Sequence, residues 1–128
     1  MVRGLADTSV FIAREVDRPL RSDLLPDSLA ISVITVGELR AGVLAARDLA
    51  TRDRRLATLV RVGEFAPLPI DERVAESWAR LRVALRDSGR RMPVNDSWIA
   101  ATAIAQRIPV VTQDDDYAEI PGLEVIRV

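Results

Sequence analysis

The sequence predicts a three-layer α/β/α domain built on a central, mostly parallel sheet. Three observations carry that expectation. Short apolar runs alternate with stretches of helical periodicity, the order expected when each strand is followed by a covering helix. The run Leu29 to Ile34 is apolar with little alternation, as in a strand covered on both faces. Acidic residues recur beside strand-like runs, and in open α/β sheets ligands bind beyond the carboxyl ends of the strands.

Leu5 and Ala6, with Val2, suit a first strand ending at Asp7. A helix over about Ser9 to Glu15 follows, until Asp17-Arg18-Pro19 breaks it. Residues 20–25 read as a short helix closed by Leu25-Pro26-Asp27. After the strand Leu29 to Ile34, helix 36–47 starts at Thr35. Arg52 to Val62 carries an apolar stripe of Leu56, Leu59, Val60 and Val62 and stops at Gly63. Phe65 to Ile70 contains two prolines two residues apart, which remove N–H groups from one side of a strand and confine it to a sheet edge. Helix 72–87 sets Val74, Trp78, Leu81 and Leu85 on one face. Ser88 to Pro93 is a loop. Helix 97–107 is rich in alanine, small enough to pack close to a sheet, and Pro109 ends it. Val110 to Thr112 is a strand, Asp114 to Tyr117 a single turn, and Leu123 to Val128 a last strand.

At 128 residues the chain is read as one domain, 1–128, with enough length for a core. Hydrophobic residues make up 48% and charged residues 29%, which suits a soluble globular protein rather than a disordered one. No apolar run reaches membrane-spanning length and no signal segment is visible, so the expected compartment is the cytoplasm, without a membrane partner.

The missing residue types narrow the chemistry. There is no Cys, hence no disulfide, thiol nucleophile or thiolate metal site. There is no His to serve as base or zinc ligand. All 18 basic residues are Arg, which removes Schiff-base chemistry and a phosphate-loop lysine. Acid–base or metal chemistry must therefore use carboxylates, whose oxygens suit hard cations such as Mg²⁺ or Mn²⁺. The net charge of −1 gives no bulk basic field for nucleic acid, so such a partner needs a local Arg patch or a metal bridge.

Four acids stand out: Asp7, Glu38, Asp96 and Asp114, the last heading the run Asp114-Asp115-Asp116. Each has a structural alternative. Asp7 can cap the following helix. Glu38 lies three residues after Thr35, the spacing of a capping box. Asp96 and Asp114 stand at helix starts, where a carboxylate suits the dipole. As a set they read differently. Short strand-to-helix turns bring strand ends to one edge of a parallel sheet, and carboxylates brought together repel unless a cation lies between them. Acids around Mg²⁺ form an oxygen cage with open positions for water and phosphate.

The chain resembles the PIN-domain nucleases, and within them the VapC-type toxins of bacterial toxin–antitoxin pairs. The resemblance rests on Leu5-Ala6-Asp7-Thr8-Ser9, on Ser32 to Leu39, on Asn95-Asp96-Ser97-Trp98-Ile99-Ala100-Ala101-Thr102-Ala103, and on Val111 to Tyr117 followed by Ile120-Pro121-Gly122-Leu123. It covers essentially the whole chain in order. It implies a Mg²⁺-dependent endoribonuclease, with Mn²⁺ as a substitute. The implied catalytic acids are Asp7, Glu38, Asp96 and Asp114, with Asp7, Asp96, Asp114 and Asp116 toward the metal; the run Asp114-Asp115-Asp116 leaves open whether Asp114 or Asp116 is the principal fourth acid. Thr8 and Thr112 match positions whose hydroxyls support the site. Tyr117 stands where relatives usually carry Phe, and its ring is expected to pack while its hydroxyl finds water. The resemblance also implies RNA as substrate, 5′-phosphate and 3′-hydroxyl products, a small VapB-type antitoxin as partner, and a homodimer. The antitoxin is expected to lie between the N-terminal helices and helix 72–87 and to point a basic residue into the acids.

Arg90 and Arg91, in the loop before Asp96, are candidates to hold RNA phosphates, against the plainer reading of a solvated loop. A receiver domain also has an acidic pocket on a parallel sheet, but it needs a lysine that this chain lacks. A haloacid-dehalogenase-type phosphatase resembles Asp-x-Asp after its first strand, and Asp7-Thr8-Ser9 supplies one acid only. The competing reading from another class is a catalytically silent interaction module that keeps the fold and the acids as caps.

Overall fold

In the computed structural model, which describes residues 3–128, Arg3–Ala6 (β1), Ser28–Ala30 (β2), Val110–Thr112 (β3) and Val125–Arg127 (β4) form one sheet. Its order is β2–β1–β3–β4, and every neighbouring pair is parallel. Val2, assigned to the first strand from sequence, lies outside the described residues. Among the described residues there are five α-helices: Thr8–Glu15 (α1), Val33–Ala45 (α2), Leu49–Val62 (α3), Glu72–Asp87 (α4) and Val94–Gln106 (α5).

The two faces of the sheet explain the three layers. Side chains alternate along a strand. Leu5 and Val110 pack with Leu81, Leu85, Ile99, Ala100 and Ala103 of α4 and α5. Ala6 packs with Phe11, Ile31, Leu39, Leu59 and Val62 on the α1, α2 and α3 side. Gly4 lets the strands approach: a Cβ there would stand 2.7 Å from Val111 Cγ2 and 2.9 Å from Pro26 Cγ. Trp78 of α4 stacks on Trp98 of α5 with ring centroids 4.3 Å apart, and its Nε1 donates to Ser97 Oγ at 3.0 Å. That contact fixes the first turns of α5, where Asp96 sits.

Several boundaries differ from the sequence reading. The strand over Leu29 to Ile34 is shortened because α2 begins at Val33, not after Thr35. Ser32 is the cap, accepting the Ile34 N–H at 3.0 Å. Thr35 is buried inside the helix, so Thr35 and Glu38 form no capping box. Asp48 caps α3 by accepting from Thr51, which starts that helix at Leu49 rather than Arg52. Helix α5 begins at Val94 rather than Ser97, placing Asp96 inside its first turn. Residues 20–25 yield only a 3-10 turn at Ser22–Leu24. Phe65 to Ile70 makes one parallel bridge, Ser32 to Leu68, because Pro67 and Pro69 offer no N–H on either side of Leu68. The segment after β3 is a turn, closed by Ala118 N–H on Asp115 C=O at 3.1 Å, and the last strand is Val125–Arg127 only.

Candidate functional site

Asp7 stands at the carboxyl end of β1, with its N–H bound to Val111 C=O at 2.8 Å. It occupies the cap position of α1, but its side chain makes no cap hydrogen bond. Instead the carboxylate, 2% exposed, accepts three hydroxyl hydrogens. Ser9 Oγ donates to Oδ2 at 2.8 Å, Thr112 Oγ1 to Oδ2 at 2.9 Å, and Tyr117 OH to Oδ1 at 2.9 Å. Ser9 Oγ and Thr112 Oγ1 in turn accept the N–H groups of Gln113 and Asp114, each at 3.0 Å. The backbone after β3 thus aims both hydroxyls at Asp7. Hydroxyl donors replace the water that a buried carboxylate loses.

Glu38 lies beside this floor, carried by the second turn of α2. Its Oε1 accepts from Thr8 Oγ1 at 2.7 Å, and Asn95 Nδ2 stands 3.5 Å from Oε2. Thr8 Oγ1 is also 3.0 Å from Thr35 Oγ1. Thr8 has one hydrogen, and the shorter contact to a charged acceptor takes it. The buried Thr35 oxygen is the alternative acceptor for that hydrogen, so Thr8 is held between Glu38 and Thr35.

Asp96, Asp114 and Asp116 occupy the opposite side. Burial raises the Asp96 carboxyl from the usual 3.8 to about 7, and the charges of Asp7 and Asp116 add to the rise. Asp114 is raised too, first by burial and then by Asp7 and Asp116, while Arg18 opposes the shift. Both shifts come first from burial and only then from neighbouring acids. Tyr117 is fully buried, and its hydroxyl lies 3.3 Å from Asp96 Oδ1 as well as on Asp7. Burial and both neighbouring acids push its ionisation upward, so it remains a neutral phenol. Its hydroxyl joins the two acids, where the sequence reading assigned it to water.

Asp7, Thr8, Glu38, Asp96 and Asp114 all line one pocket of about 280 Å³, together with Ser9, Ile12 and Arg18. Thr112 lies in its floor, bonded to Asp7, and Asp116 meets Asp96. Asp115 points elsewhere, exposed and paired with Arg127. Arg90 and Arg91 are not in this pocket. They line a separate groove of about 550 Å³ with Arg82 and Arg86, bounded by Val94 at the start of α5. The Arg90 guanidinium is bound to the carbonyls of Ala118 and Glu119, clasping the turn that carries Tyr117.

Ser9, Arg18, Thr35 and Tyr117 were not among the sequence candidates. Arg18 is brought back by a helix stop. Asp17 adopts φ 56°, and the N–H of Arg18 bonds to Ala13 C=O at 2.7 Å, a Schellman closure of α1. The break at Asp17-Arg18-Pro19 was the visible signal.

The donor set is all oxygen, which fits a hard divalent cation. Among the described residues no group of three or more Asp or Glu side chains is spaced to hold a metal ion as it stands. The fit lies in the donor chemistry and in carboxylates crowded round one open pocket.

A family model for the PIN domain matches residues 5–123. The chain is 52% identical over 128 residues to ribonuclease VapC5 of Mycobacterium tuberculosis, an alignment covering 98% of this chain and 95% of that protein. It is 50% identical over 131 residues to ribonuclease VapC4 of the same organism, covering 98% and 97%. It matches the crystal structure of VapBC-5, a member of the VapBC family of toxin–antitoxin systems from M. tuberculosis, with a TM-score of 0.92 at 48% identity and 100% of both chains covered.

Proposed function

The chain belongs to the PIN-domain family and to its VapC-type ribonucleases, and from that membership we propose a Mg²⁺-dependent endoribonuclease centred on Asp7, Glu38, Asp96 and Asp114. It is the toxin of a toxin–antitoxin pair, with RNA as substrate and a VapB-type antitoxin as partner. The single observation that carries the site is the convergence of these four acids, from three helices or strand ends and one turn, on one pocket. The chain is read as a single nuclease domain, 1–128, acting in the cytoplasm. Among the described residues no helix is long and apolar enough to cross a membrane.

Asp7, Asp96 and Asp114 would hold the cation, with Asp116 beside Asp96. When bound, the cation lowers the pKa of a coordinated water and neutralises charge at the scissile phosphate. The protein's own residues do the rest. Glu38 is oriented through Oε1 by Thr8 and approached at Oε2 by Asn95 Nδ2, and the remaining lone pair of Oε2 accepts a proton from the attacking water. Ser9, Thr112 and Tyr117 keep Asp7 in place. Arg18 sits at the pocket wall and offers its guanidinium to phosphate. Arg91, with Arg82 and Arg86, supports flanking RNA phosphates in the adjacent groove, while Arg90 serves the turn first. The products are 5′-phosphate and 3′-hydroxyl ends.

The antitoxin reading shifts from the expected position beside helix 72–87. An apolar groove of about 250 Å³ opens between α1, α2 and α3, lined by Ile12, Val16, Leu39, Gly42 and Arg55. It shares Ile12 and Glu38 with the acid pocket, so an apolar segment docked there brings a basic side chain to the acids. The chain acts as a homodimer.

The test is to incubate the purified chain with total RNA, with Mg²⁺ or with chelator, and to sequence the new 5′ ends. Discrete ends that require Mg²⁺ are expected. Intact RNA in both samples argues for the silent interaction module.

A further inference from the structure

The strand floor of the pocket carries an inference about stoichiometry, which rests on the cation of the proposed function. An ionised carboxylate offers about four lone-pair positions, two on each oxygen. On Asp7, Oδ2 receives two hydroxyl hydrogens, from Ser9 at 2.8 Å and Thr112 at 2.9 Å. Each hydroxyl oxygen is held by a backbone N–H, and although the two oxygens lie 3.2 Å apart, the shorter contacts to the charged carboxylate take both hydrogens. Oδ1 receives one hydrogen from Tyr117 at 2.9 Å. Tyr117 is 0% exposed, so no bulk water competes for its hydroxyl. Among these hydroxyl contacts one lone pair, on Oδ1, is left, and Asp114, whose carboxyl also hydrogen-bonds to Asp7 in the metal-free protein, vacates Asp7 when both acids turn to a cation.

We propose that Ser9, Thr112 and Tyr117 are positioning residues that reduce Asp7 to a one-point ligand, so that it serves a single small cation and cannot bridge two. A bidentate grip needs a free lone pair on each oxygen, and Oδ2 has none. A bridging role needs two free lone pairs, and Asp7 keeps one. One-point carboxylates suit compact octahedral ions such as Mg²⁺ and Mn²⁺, whereas Ca²⁺ accepts bidentate carboxylates in larger shells.

The experiment is Mn²⁺ binding to the full chain, read by calorimetry and electron paramagnetic resonance. Wild type is expected to bind one Mn²⁺ with a spectrum free of spin–spin coupling. Tyr117→Phe keeps the ring and opens the second lone pair of Oδ1. A second Mn²⁺ is then expected to bind about two- to tenfold tighter than in wild type, the range one hydrogen bond is worth, with a coupled spectrum. A coupled Mn²⁺ pair in wild type overturns the proposal, and that result does not depend on the variant folding. Wild-type binding in a folded Tyr117→Phe overturns it too, as does no Mn²⁺ binding at all. RNA cleavage by the same preparations is scored separately. One uncoupled Mn²⁺ with intact RNA sinks the nuclease reading and leaves the inference standing; cleavage with a coupled pair does the reverse.

Discussion

The two sides of the acid pocket handle negative charge differently. On the strand side, Asp7 is nearly fully buried yet meets three hydroxyl hydrogens. On the helix-and-turn side, Asp96 and Asp114 each meet the charges of Asp7 and Asp116, and burial with like charge raises both. The fold builds the first side in advance, from residues at the ends of β1 and β3 and in the turn beyond. It leaves the second side short of positive charge. A cation or a proton has most to gain there.

The comparison breaks first under amide substitution. Asp114→Asn is expected to slow RNA cleavage at least about a hundredfold, the scale on which a catalytic group acts, without loss of metal-free stability. Asp7→Asn is expected to lose as much activity and also to cost about 1–2 kcal/mol, because its amide puts N–H groups among hydroxyl donors in a buried site. Cleavage rates beside urea unfolding in chelator check both. Equal stabilities for the two variants would erase the distinction between the sides.

The pH dependence sharpens it. Asp96 has a folded-state pKa of about 7 against an ordinary 3.8, so the folded protein binds the extra proton between those values. The stability this contributes is full below the ordinary value and is lost as pH rises through about 7. Metal-free protein is therefore expected to be less stable at pH 8 than at pH 5 by about 1–2 kcal/mol, after allowing for solvent screening at a half-buried site. Asp114 adds in the same direction. Asp96→Asn is expected to flatten the dependence, and urea midpoints at the two pH values measure it.

Arg90→Ala tests the clasp on the turn behind Tyr117. Loss of the bonds to Ala118 and Glu119 is expected to cost about 1 kcal/mol, whereas Arg91→Ala is expected to leave stability alone and raise KM for long RNA. A stable Arg90→Ala with the same KM defect would return Arg90 to the RNA surface. The smallest effect belongs to Asp115→Asn. Its exposed pairing with Arg127 is worth little, so activity and stability are expected to hold within about 0.5 kcal/mol.

Much of this was legible in the sequence, in proportion to how local the causes are. The strands at Leu5-Ala6 and Val110 to Thr112 follow from apolar runs beside turn signals, and helix 72–87 from its periodic stripe. Asp7, Glu38, Asp96 and Asp114 were legible as a set because parallel strands send their ends to one edge. Glu38 reached the pocket for another reason than the one read. Ser32 starts α2 three residues earlier than Thr35, and helical phase turns Glu38 toward Thr8. Tyr117 was misread because its hydroxyl partners, Asp7 and Asp96, are 110 and 21 residues away. The Arg90 clasp was invisible for the same reason, since its carbonyl partners lie 28 and 29 residues on. Local pattern carries no record of such partners.

The central claim is that the crowded acids are there to hold the cation that cuts RNA. Asp96→Asn tests it most directly, because the amide relieves the crowding while removing an anionic ligand. Cleavage of one RNA substrate at fixed Mg²⁺ is compared between wild type and this variant, with folding verified by urea unfolding. The account expects a folded protein, at least as stable as wild type at neutral pH without metal, that cuts RNA at least about a hundredfold more slowly. A folded Asp96→Asn that cuts at the wild-type rate would contradict it.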